Sequence, residues 1–208
     1  MTSSERRLLL RSLGGMLGRR PDVSRWERES SFDEEWEERT RIMARLVPKG
    51  SRVIEFGAGL RRMPHYLDPS CTYLASDVIH RGPGTLVWDL NARPLPDLSQ
   101  FKVDVAVFGG VLEYLVRLEP IARWLARHVS TCIASYECAE TAAWSFGRLR
   151  ERLQRARLGW VSTHTETELA GLFNAAGFLC EQKVICHTPT WDEPIFVFRL
   201  KTVERPQG

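Results

Sequence analysis

The feature that most constrains the fold is a regular alternation of short apolar segments with longer helical ones. The segment "VDVAVFGG" at 103–110 is apolar almost throughout, as in a strand that is buried on both faces. Such an alternation predicts a parallel sheet with helices covering both of its faces. Strands are expected at 52–56, 72–76, 85–90, 103–110 and 131–136, and helices at 33–47, 117–128, 141–159 and 165–177.

The chain closes with two further apolar segments, "FLCEQKVIC" and "PIFVFRL", which predict an antiparallel pair of strands. The helix before them has the clearest boundaries, because Thr165 and Glu168 form a capping-box pattern and Gly177 follows its end. In a parallel sheet of this kind, ligands bind beyond the carboxyl ends of the strands, where the strand order reverses. Functional residues are therefore expected on the loops that follow the strands.

The composition is that of an ordinary globular domain. The chain has 208 residues, of which 43% are apolar and 26% charged, and its net charge of +3 favours no particular partner. The five cysteines lack C-x-x-C spacing, which argues against a disulfide framework and against a zinc site. We therefore expect no metal centre and reduced thiols in a cytoplasmic protein. The sequence predicts no secretory signal and no membrane-spanning segment.

The chain divides into a basic N-terminal arm at 1–22 and a single domain at 23–208. Apolar residues of the arm could form one side of a helix, so contact with an anionic membrane surface through residues 1–20 is an alternative to a solvated arm. Residues 141–160 follow the fifth strand and are expected to form an inserted helical lid.

A glycine-rich turn follows the first strand in "RVIEFGAGLRRMPHYL", residues 52–67. Gly57 and Gly59 allow positive φ and close approach of the backbone to a ligand, and Glu55 precedes them. The dinucleotide fingerprint G-x-G-x-x-G fails because Leu60, Arg61 and Arg62 follow, and the P-loop fails because no G-K-[ST] is present. A carboxylate at the end of the first strand suits a cationic cofactor better than one that carries phosphates.

This stretch resembles the first motif, [E/D]-x-G-x-G, of the class I S-adenosylmethionine-dependent methyltransferases, with Arg61 in place of that family's third glycine. Further motifs follow in the family's order: Asp77 after the second strand, Asp89 in "WDLN" after the third, "VDVAVFGGVLEYL" and "FNAAGF". The resemblance covers about residues 33–200. It implies an α/β fold with a Rossmann-like, doubly wound, mostly parallel seven-stranded sheet, an antiparallel last strand and helices on both faces.

The resemblance also implies S-adenosyl-L-methionine as the cofactor. Asp77 would accept hydrogen bonds from the ribose hydroxyls, and Asp89 would lie near the adenine amino group. Arg61 would either pair with the carboxylate at the methionine end of the cofactor or point to solvent. Trp36 and Phe32 could roof the cofactor or simply pack in the core. The expected cofactor-binding residues are Glu55, Gly57, Ala58, Gly59, Asp77, Val78, Asp89, Leu90 and Gly109.

Methyl transfer requires alignment above all, and a base only where the acceptor is a hydroxyl or a protonated amine. The family's [D/N/S]-P-P-[Y/F] motif for nitrogens of nucleic acid bases is absent. The interpretation is therefore methyl transfer to an O or N nucleophile of a small-molecule or glycan-like acceptor. The candidate catalytic residues follow the fourth and fifth strands and are Glu113, Tyr114 and Glu137, with Tyr136 beside them. His65 and His128 are interpreted as structural, and His164 as a loop histidine.

The segment 141–160 contains Arg148, Arg150, Arg152, Arg155 and Arg157. Its apolar residues recur at helical spacing, so these arginines are expected on the opposite, solvated side. The alternative is a lid that holds an anionic acceptor. Two other functions also remain open. One is a catalytically silent methyltransferase-like binding protein, which the departure at Arg61 favours, and the other is an RNA-modifying methyltransferase.

Overall fold

The computed structural model describes residues 36–140, 151–152, 154–156, 158–188 and 192–201. Within these residues, seven strands form one sheet, and three helices have defined bounds. The helices are α1 (Trp36–Leu46), α2 (Leu118–Leu125) and α3 (Glu166–Ala175). The strands are β1 (Arg52–Phe56), β2 (Thr72–Asp77), β3 (Thr85–Val87), β4 (Val105–Phe108), β5 (Thr131–Ser135), β6 (Phe178–His187) and β7 (Asp192–Leu200).

The strand order in the sheet is β3-β2-β1-β4-β5-β7-β6. Strands β1 to β5 pair in parallel, whereas β7 runs antiparallel to both of its neighbours. The predicted Rossmann-like sheet with an antiparallel last strand is therefore confirmed. The order reverses between β1 and β4, which places the ligand crevice of such a sheet at the carboxyl ends of these two strands.

Two strands are shorter than predicted because turns end them. β3 stops at Val87, since the Asp89 carboxylate accepts a hydrogen bond from the Asn91 N–H and starts a turn. β4 stops at Phe108, since the chain turns away at Gly110, whose φ is +67°. Both differences leave the predicted site residues on loops at the carboxyl edge of the sheet.

Alternate residues of the central strands fill two separate apolar layers. One layer contains Val53, Val105 and Val107 and packs under α1. The other contains Phe56 and Phe108, whose rings stack with centres 4.9 Å apart, and it packs under α2 and α3. This period of two puts helices on both faces of the sheet, as the sequence predicts.

Local signals set the bounds of the helices. α3 begins after Thr165, whose side chain accepts from the Glu168 N–H while the Glu168 carboxylate accepts from the Thr165 N–H, so the predicted capping box is confirmed. α1 ends at Leu46, before the Pro48 that follows it. α2 is shorter than the predicted helix at 117–128.

Parts of the predicted domain organisation lie outside the described residues. These parts are the basic arm at 1–22 and residues 141–150 of the expected lid. In the remainder of that lid segment, residues 151–152 and 154–156 are helical. None of the described helices combines the length and the apolar composition that a membrane crossing requires.

Candidate active site

The loop after β1 has the left-handed backbone that its glycines allow. Gly57 and Gly59 have φ values of +69° and +50°. Space also restricts Gly57, because a Cβ there would lie 2.4 Å from Cγ2 of Val111 on the loop after β4. The Ala58 N–H donates to the Ser76 carbonyl of β2 at 3.0 Å, which holds the loop against the neighbouring strand. The loop is therefore a narrow backbone cradle at the carboxyl edge of the sheet.

Arg61 adopts a left-handed conformation at the position where the family's motif has its third glycine. Its φ is +53°, a value that residues other than glycine rarely adopt. Its guanidinium donates from Nη1 to the Pro83 carbonyl at 2.7 Å, on the loop between β2 and β3. Arg61 thus ties the glycine loop to the β2–β3 loop, a role that neither expectation for this residue included.

Asp77 ends β2 and is buried against the glycine loop. Its Oδ2 accepts from the Gly59 N–H at 2.9 Å, and its Oδ1 accepts from the Ile79 N–H at 3.0 Å. Arg81 Nε lies 3.5 Å from Oδ2, so a ribose at this position would compete with Arg81. Oδ1 accepts only the Ile79 N–H and can accept a second hydrogen bond from a ribose hydroxyl, whereas Oδ2 could do so only by displacing Arg81. Val78 follows it and is half-buried.

Glu55 is a buried carboxylic acid in the middle of the crevice. Burial raises its pKa to about 7, and the nearby Asp77 carboxylate adds to the rise. The hydroxyl of Tyr73 donates to Glu55 Oε2 at 2.5 Å, and this bond, together with the charge of Arg39, opposes the rise. Glu55 is therefore only partly ionised near neutral pH. A cation bound beside it would stabilise the ionised form.

The residues predicted for the adenine end lie on the loop after β3, where Asp89 is exposed and Leu90 is buried. Asn91, which the sequence analysis did not single out, joins this loop to the loop after β4. Its Nδ2 donates to the Tyr114 carbonyl at 3.0 Å, and its Oδ1 accepts from the Val116 N–H at 2.8 Å. The two loops on either side of the crevice are therefore held in one arrangement.

Gly109 and Gly110, directly after β4, lie under the guanidinium of Arg39 from α1. A Cβ on Gly110 would come 2.9 Å from Arg39 Nη1, and a Cβ on Gly109 would come 3.6 Å from Arg39 Nε. Arg39 Nη1 also donates to both carboxylate oxygens of Glu193, at 3.0 and 3.1 Å. The side chains of Arg39 and Glu193 are only 11% and 7% exposed. An almost dry ion pair therefore crosses the carboxyl edge from α1 to β7.

Glu113 is the most deeply buried of the three catalytic candidates, with 1% exposure. Its Oε1 accepts from the Glu137 N–H at 2.9 Å, whereas its Oε2 is buried without a hydrogen-bond partner among the described residues. Burial raises the pKa of Glu113 to about 7, and the Glu193 charge adds to the rise. The Glu113 carbonyl accepts from the Val161 and Ser162 N–H groups, which holds residues 161–162 beside Glu113.

Tyr114 follows Glu113 in the chain, and Glu137 lies beside Glu113 through the hydrogen bond from its N–H. The Tyr114 hydroxyl accepts from Trp160 Nε1 at 3.1 Å, and its ring is half-buried. Burial raises the pKa of the Glu137 carboxyl, and the charge of Arg155 opposes this rise. The structure therefore brings the three predicted catalytic residues together on the β5 side of the crevice.

Arg155 is buried, so the prediction of a solvated face is wrong for this residue. Its guanidinium donates to the Glu137 carbonyl and lies 3.9 Å from the Glu151 carboxylate. It also lies 4.9 Å from the ring centre of Trp160 and 5.8 Å from that of Tyr136. Carbonyl, carboxylate and aromatic partners therefore surround the Arg155 guanidinium, which helical spacing alone predicts to be exposed.

The remaining sequence candidates contribute less. Arg152 is exposed, as predicted. His128 packs against Trp124 in a structural role, and His65 is exposed on a short turn. His164 lies in the loop before α3, where its backbone N–H donates to the Tyr136 hydroxyl. The candidates outside the described residues are Phe32, Arg148, Arg150 and Arg157.

Arg39 and Glu193 are not among the site residues that the sequence predicts. A signal for Arg39 existed, because it lies one helical turn from both Trp36 and Met43, on the apolar side of α1. The Trp36 ring lies 5.4 Å from Arg39 Cζ, so it packs on this guanidinium at the rim of the crevice. Glu193 carried no local signal, since only the return of β7 brings it to the site.

No family model matches the sequence, and no curated protein matches it. Solved structures match its fold with probability 1.00. One is a 1,6-didemethyltoxoflavin-N1-methyltransferase from Burkholderia thailandensis with bound 1,6-didemethyltoxoflavin and S-adenosylhomocysteine. It is 17% identical at a TM-score of 0.60, over 97% of this chain and 91% of that one.

A magnesium protoporphyrin IX methyltransferase from Synechocystis PCC 6803, with bound S-adenosylmethionine, is 16% identical at a TM-score of 0.56, over 86% of this chain and 90% of that one. The mitomycin 7-O-methyltransferase is 16% identical at a TM-score of 0.56, over 80% of this chain, which spans only 54% of that enzyme. At these identities the likeness shows the fold alone. The chain shares a Rossmann-like fold with these solved methyltransferases.

Proposed function

We propose that this protein transfers a methyl group from S-adenosyl-L-methionine to an O or N nucleophile of a small-molecule acceptor. The observation that carries the proposal is the cradle at the carboxyl edge, where Gly57, Gly59 and Arg61 all have left-handed backbone and Gly59 is bonded to Asp77. Arg61 departs from the motif in its side chain only, because its backbone has the conformation that glycine adopts readily. The fit of the loop to a close-lying ligand is therefore retained.

The described residues suit the parts of this cofactor in order along the edge. Asp89 and Leu90 follow β3 and would border the adenine, while Asp77 after β2 would accept the ribose hydroxyls. Gly57 and Gly59 after β1 would border the chain that joins the ribose to the amino acid. Bound there, the cofactor supplies a methyl group already activated by a positively charged sulfur. The buried carboxyl of Glu55 would then face a cation and ionise more readily.

Glu113 is the residue best suited to act as a base. Its Oε2 is buried and unpaired among the described residues, and its pKa of about 7 allows it to accept a proton near neutral pH. On methylation, the acceptor's oxygen or nitrogen would give up its proton to Oε2 of Glu113. Tyr114 and Glu137 would position the acceptor, since both lie next to Glu113.

The nature of the acceptor follows from weaker observations. The acceptors named for two similar structures, 1,6-didemethyltoxoflavin and magnesium protoporphyrin IX, are small molecules, which favours a small acceptor here. A glycan-like or anionic acceptor remains a narrower proposal. Among the lid arginines that the structure describes, Arg155 already has protein partners, which leaves the exposed Arg152 for an anionic group.

One observation favours a catalytically silent binding protein as the second candidate. Arg81 lies against the Asp77 carboxylate that the ribose would need, and both side chains are almost fully buried. A protein that had lost its cofactor would be free to keep this ion pair. The two candidates differ in whether methyl transfer can be detected.

The test is turnover with S-adenosylmethionine labelled at the methyl group, against a panel of small phenols, amines, phosphorylated sugars and neutral sugars. We expect label to pass to at least one acceptor, and we expect Glu113→Gln to slow that transfer while the protein still binds the cofactor. Binding of S-adenosylmethionine without transfer to any member of this panel would favour the silent protein.

A further inference from the structure

We propose that Arg39 binds the carboxylate at the amino-acid end of the ligand in this crevice, and that Glu193 orients the guanidinium for that contact. The inference rests on the proposed function, which supplies a ligand with adenosine at one end and an amino acid at the other. It assigns to α1 and β7 a part of the binding site that the strand-end motifs do not contain.

The position of Arg39 along the edge of the sheet is the first argument. Asp77 at the end of β2 fixes the ribose in the proposed function, with the adenine beyond it towards β3. The other end of the ligand must therefore run past β1 towards β4, its neighbour on the opposite side. Arg39 lies over Gly109 and Gly110 at the tip of β4, which is where that end would arrive.

The free edge of the guanidinium is the second argument. Among the described residues, both hydrogen bonds of Arg39 leave from Nη1 and both end on Glu193. Its Nε is buried and has no partner within the same part of the chain. Nε and Nη2 form the edge of an arginine that donates two parallel bonds to one carboxylate. A buried donor without a partner is costly, so this geometry points to a partner that arrives with the ligand.

The packing around Arg39 shows that its location is closely fitted. A Cβ on Gly110 would come 2.9 Å from Nη1, so only a glycine leaves the guanidinium its place against the backbone. The Trp36 ring lies 5.4 Å from Cζ, and Met43 Sδ lies 3.8 Å from the position of a Cβ on Gly109. The arginine is thus held in advance, which lowers the entropy lost when a ligand binds.

A purely structural role is the competing explanation, in which the Arg39–Glu193 pair simply joins α1 to β7. A buried ion pair is a weak source of stability because desolvation offsets the attraction. The two roles differ in one measurable respect, since only the ligand role depends on the carboxylate of the ligand.

The experiment compares S-adenosylhomocysteine with 5′-methylthioadenosine, which lacks the amino-acid end, by calorimetry on the wild type and on Arg39→Met. We expect Arg39→Met to weaken S-adenosylhomocysteine binding at least about tenfold, because charge-assisted bonds are lost. Binding of 5′-methylthioadenosine should change less than about twofold on the same basis. Arg41→Met is the matched control, an arginine of the same helix that is 41% exposed and pairs with Glu38.

Equal losses for both ligands, or no loss for either, would overturn the inference. If Arg39→Met does not fold, the double variant Arg39→Met, Glu193→Met removes both charges together and should show the same selective loss. The wild type supplies a test that needs no variant, since the decarboxylated analogue of S-adenosylhomocysteine should bind at least about tenfold more weakly. Equal affinity for that analogue would overturn the inference, whereas no binding of either nucleoside would refute the proposed function itself.

Discussion

At the scale of single residues, the crevice combines two buried carboxyl groups whose pKa values lie near neutral pH. Burial is the main cause of the raised pKa of both Glu55 and Glu113, and neighbouring acids add to it. The two residues differ in their partners. Glu55 has the Tyr73 hydroxyl, whereas Glu113 leaves Oε2 unpaired among the described residues. This difference makes Glu113 the candidate base and Glu55 the candidate counter-charge.

Glu113→Gln should stabilise the protein at pH 8 and leave its stability unchanged near pH 4.5. The folded pKa of about 7 lies above the unfolded value of 4.5, so the stabilising effect of the neutral acid is complete below 4.5 and is lost as the pH rises through 7. Glutamine is neutral throughout and keeps an acceptor for the Glu137 N–H. We expect a gain of about 1–3 kcal/mol at pH 8, measured by urea unfolding.

The exposed Glu119 provides the control for this prediction. Glu119→Gln should change stability by less than about 0.5 kcal/mol at either pH. A stability difference between Glu113→Gln and the wild type that does not vary between pH 4.5 and pH 8 would show that the Glu113 pKa is not raised.

The left-handed backbone at Arg61 predicts an order of stability at that position. Arg61→Gly removes the steric cost of φ +53° and also the bond to the Pro83 carbonyl, whereas Arg61→Ala removes only the bond. The glycine variant should therefore be the more stable of the two by about 1 kcal/mol. Both variants should bind S-adenosylhomocysteine with an affinity within about twofold of the wild type, because in this account Arg61 makes no charge-assisted contact with the ligand. Loss of such a contact would reduce the affinity by more than about twofold. An alanine variant as stable as the glycine variant, or a large loss of affinity, would contradict this account.

At the scale of elements, the sequence predicts where the strands lie along the chain better than it predicts which side chains reach across their ends. The order and spacing of the strands follow from local apolar patterns, and Glu55 and Asp77 are tied to the strand ends by adjacency along the chain. Arg39 has its partner Glu193 on β7, and the partners of Arg155 include Tyr136 and Glu137 after β5, contacts that periodicity cannot identify. The segment that contains Arg155 illustrates the limit, because its spacing predicts exposure while Tyr136, Glu137 and Trp160 provide a buried place for the guanidinium.

Arg155→Met should lower the free energy of unfolding by about 2–4 kcal/mol, since it leaves the Glu137 carbonyl and the Glu151 carboxylate without their partner. Arg152→Met, in the same helical segment but exposed, should change it by less than about 0.5 kcal/mol. Chemical unfolding of the two variants side by side makes the comparison. Equal and small effects would mean that Arg155 is solvated after all.

At the scale of the whole molecule, the carboxyl edge of the sheet gathers charges from elements far apart in the sequence. Glu55, Asp77, Glu113 and Glu193 meet the guanidinium groups of Arg39, Arg81 and Arg155. Such a concentration of buried charge is costly for stability and is typical of functional sites. Its place at the reversal of strand order matches the general location of ligands in this fold. The acceptor is the part that fold and motifs do not specify.

The central claim is that the cradle formed by the glycine loop and Asp77 binds S-adenosylmethionine. Calorimetry with S-adenosylmethionine, S-adenosylhomocysteine and NAD on the wild type, Asp77→Ala and Asp97→Ala tests it most directly. We expect the wild type and the exposed control Asp97→Ala to bind both sulfur nucleosides and not NAD. Asp77→Ala should bind them at least about tenfold more weakly, because a charged acceptor of the ribose hydroxyls is lost. Tight binding of NAD with no response to either sulfur nucleoside would contradict the claim.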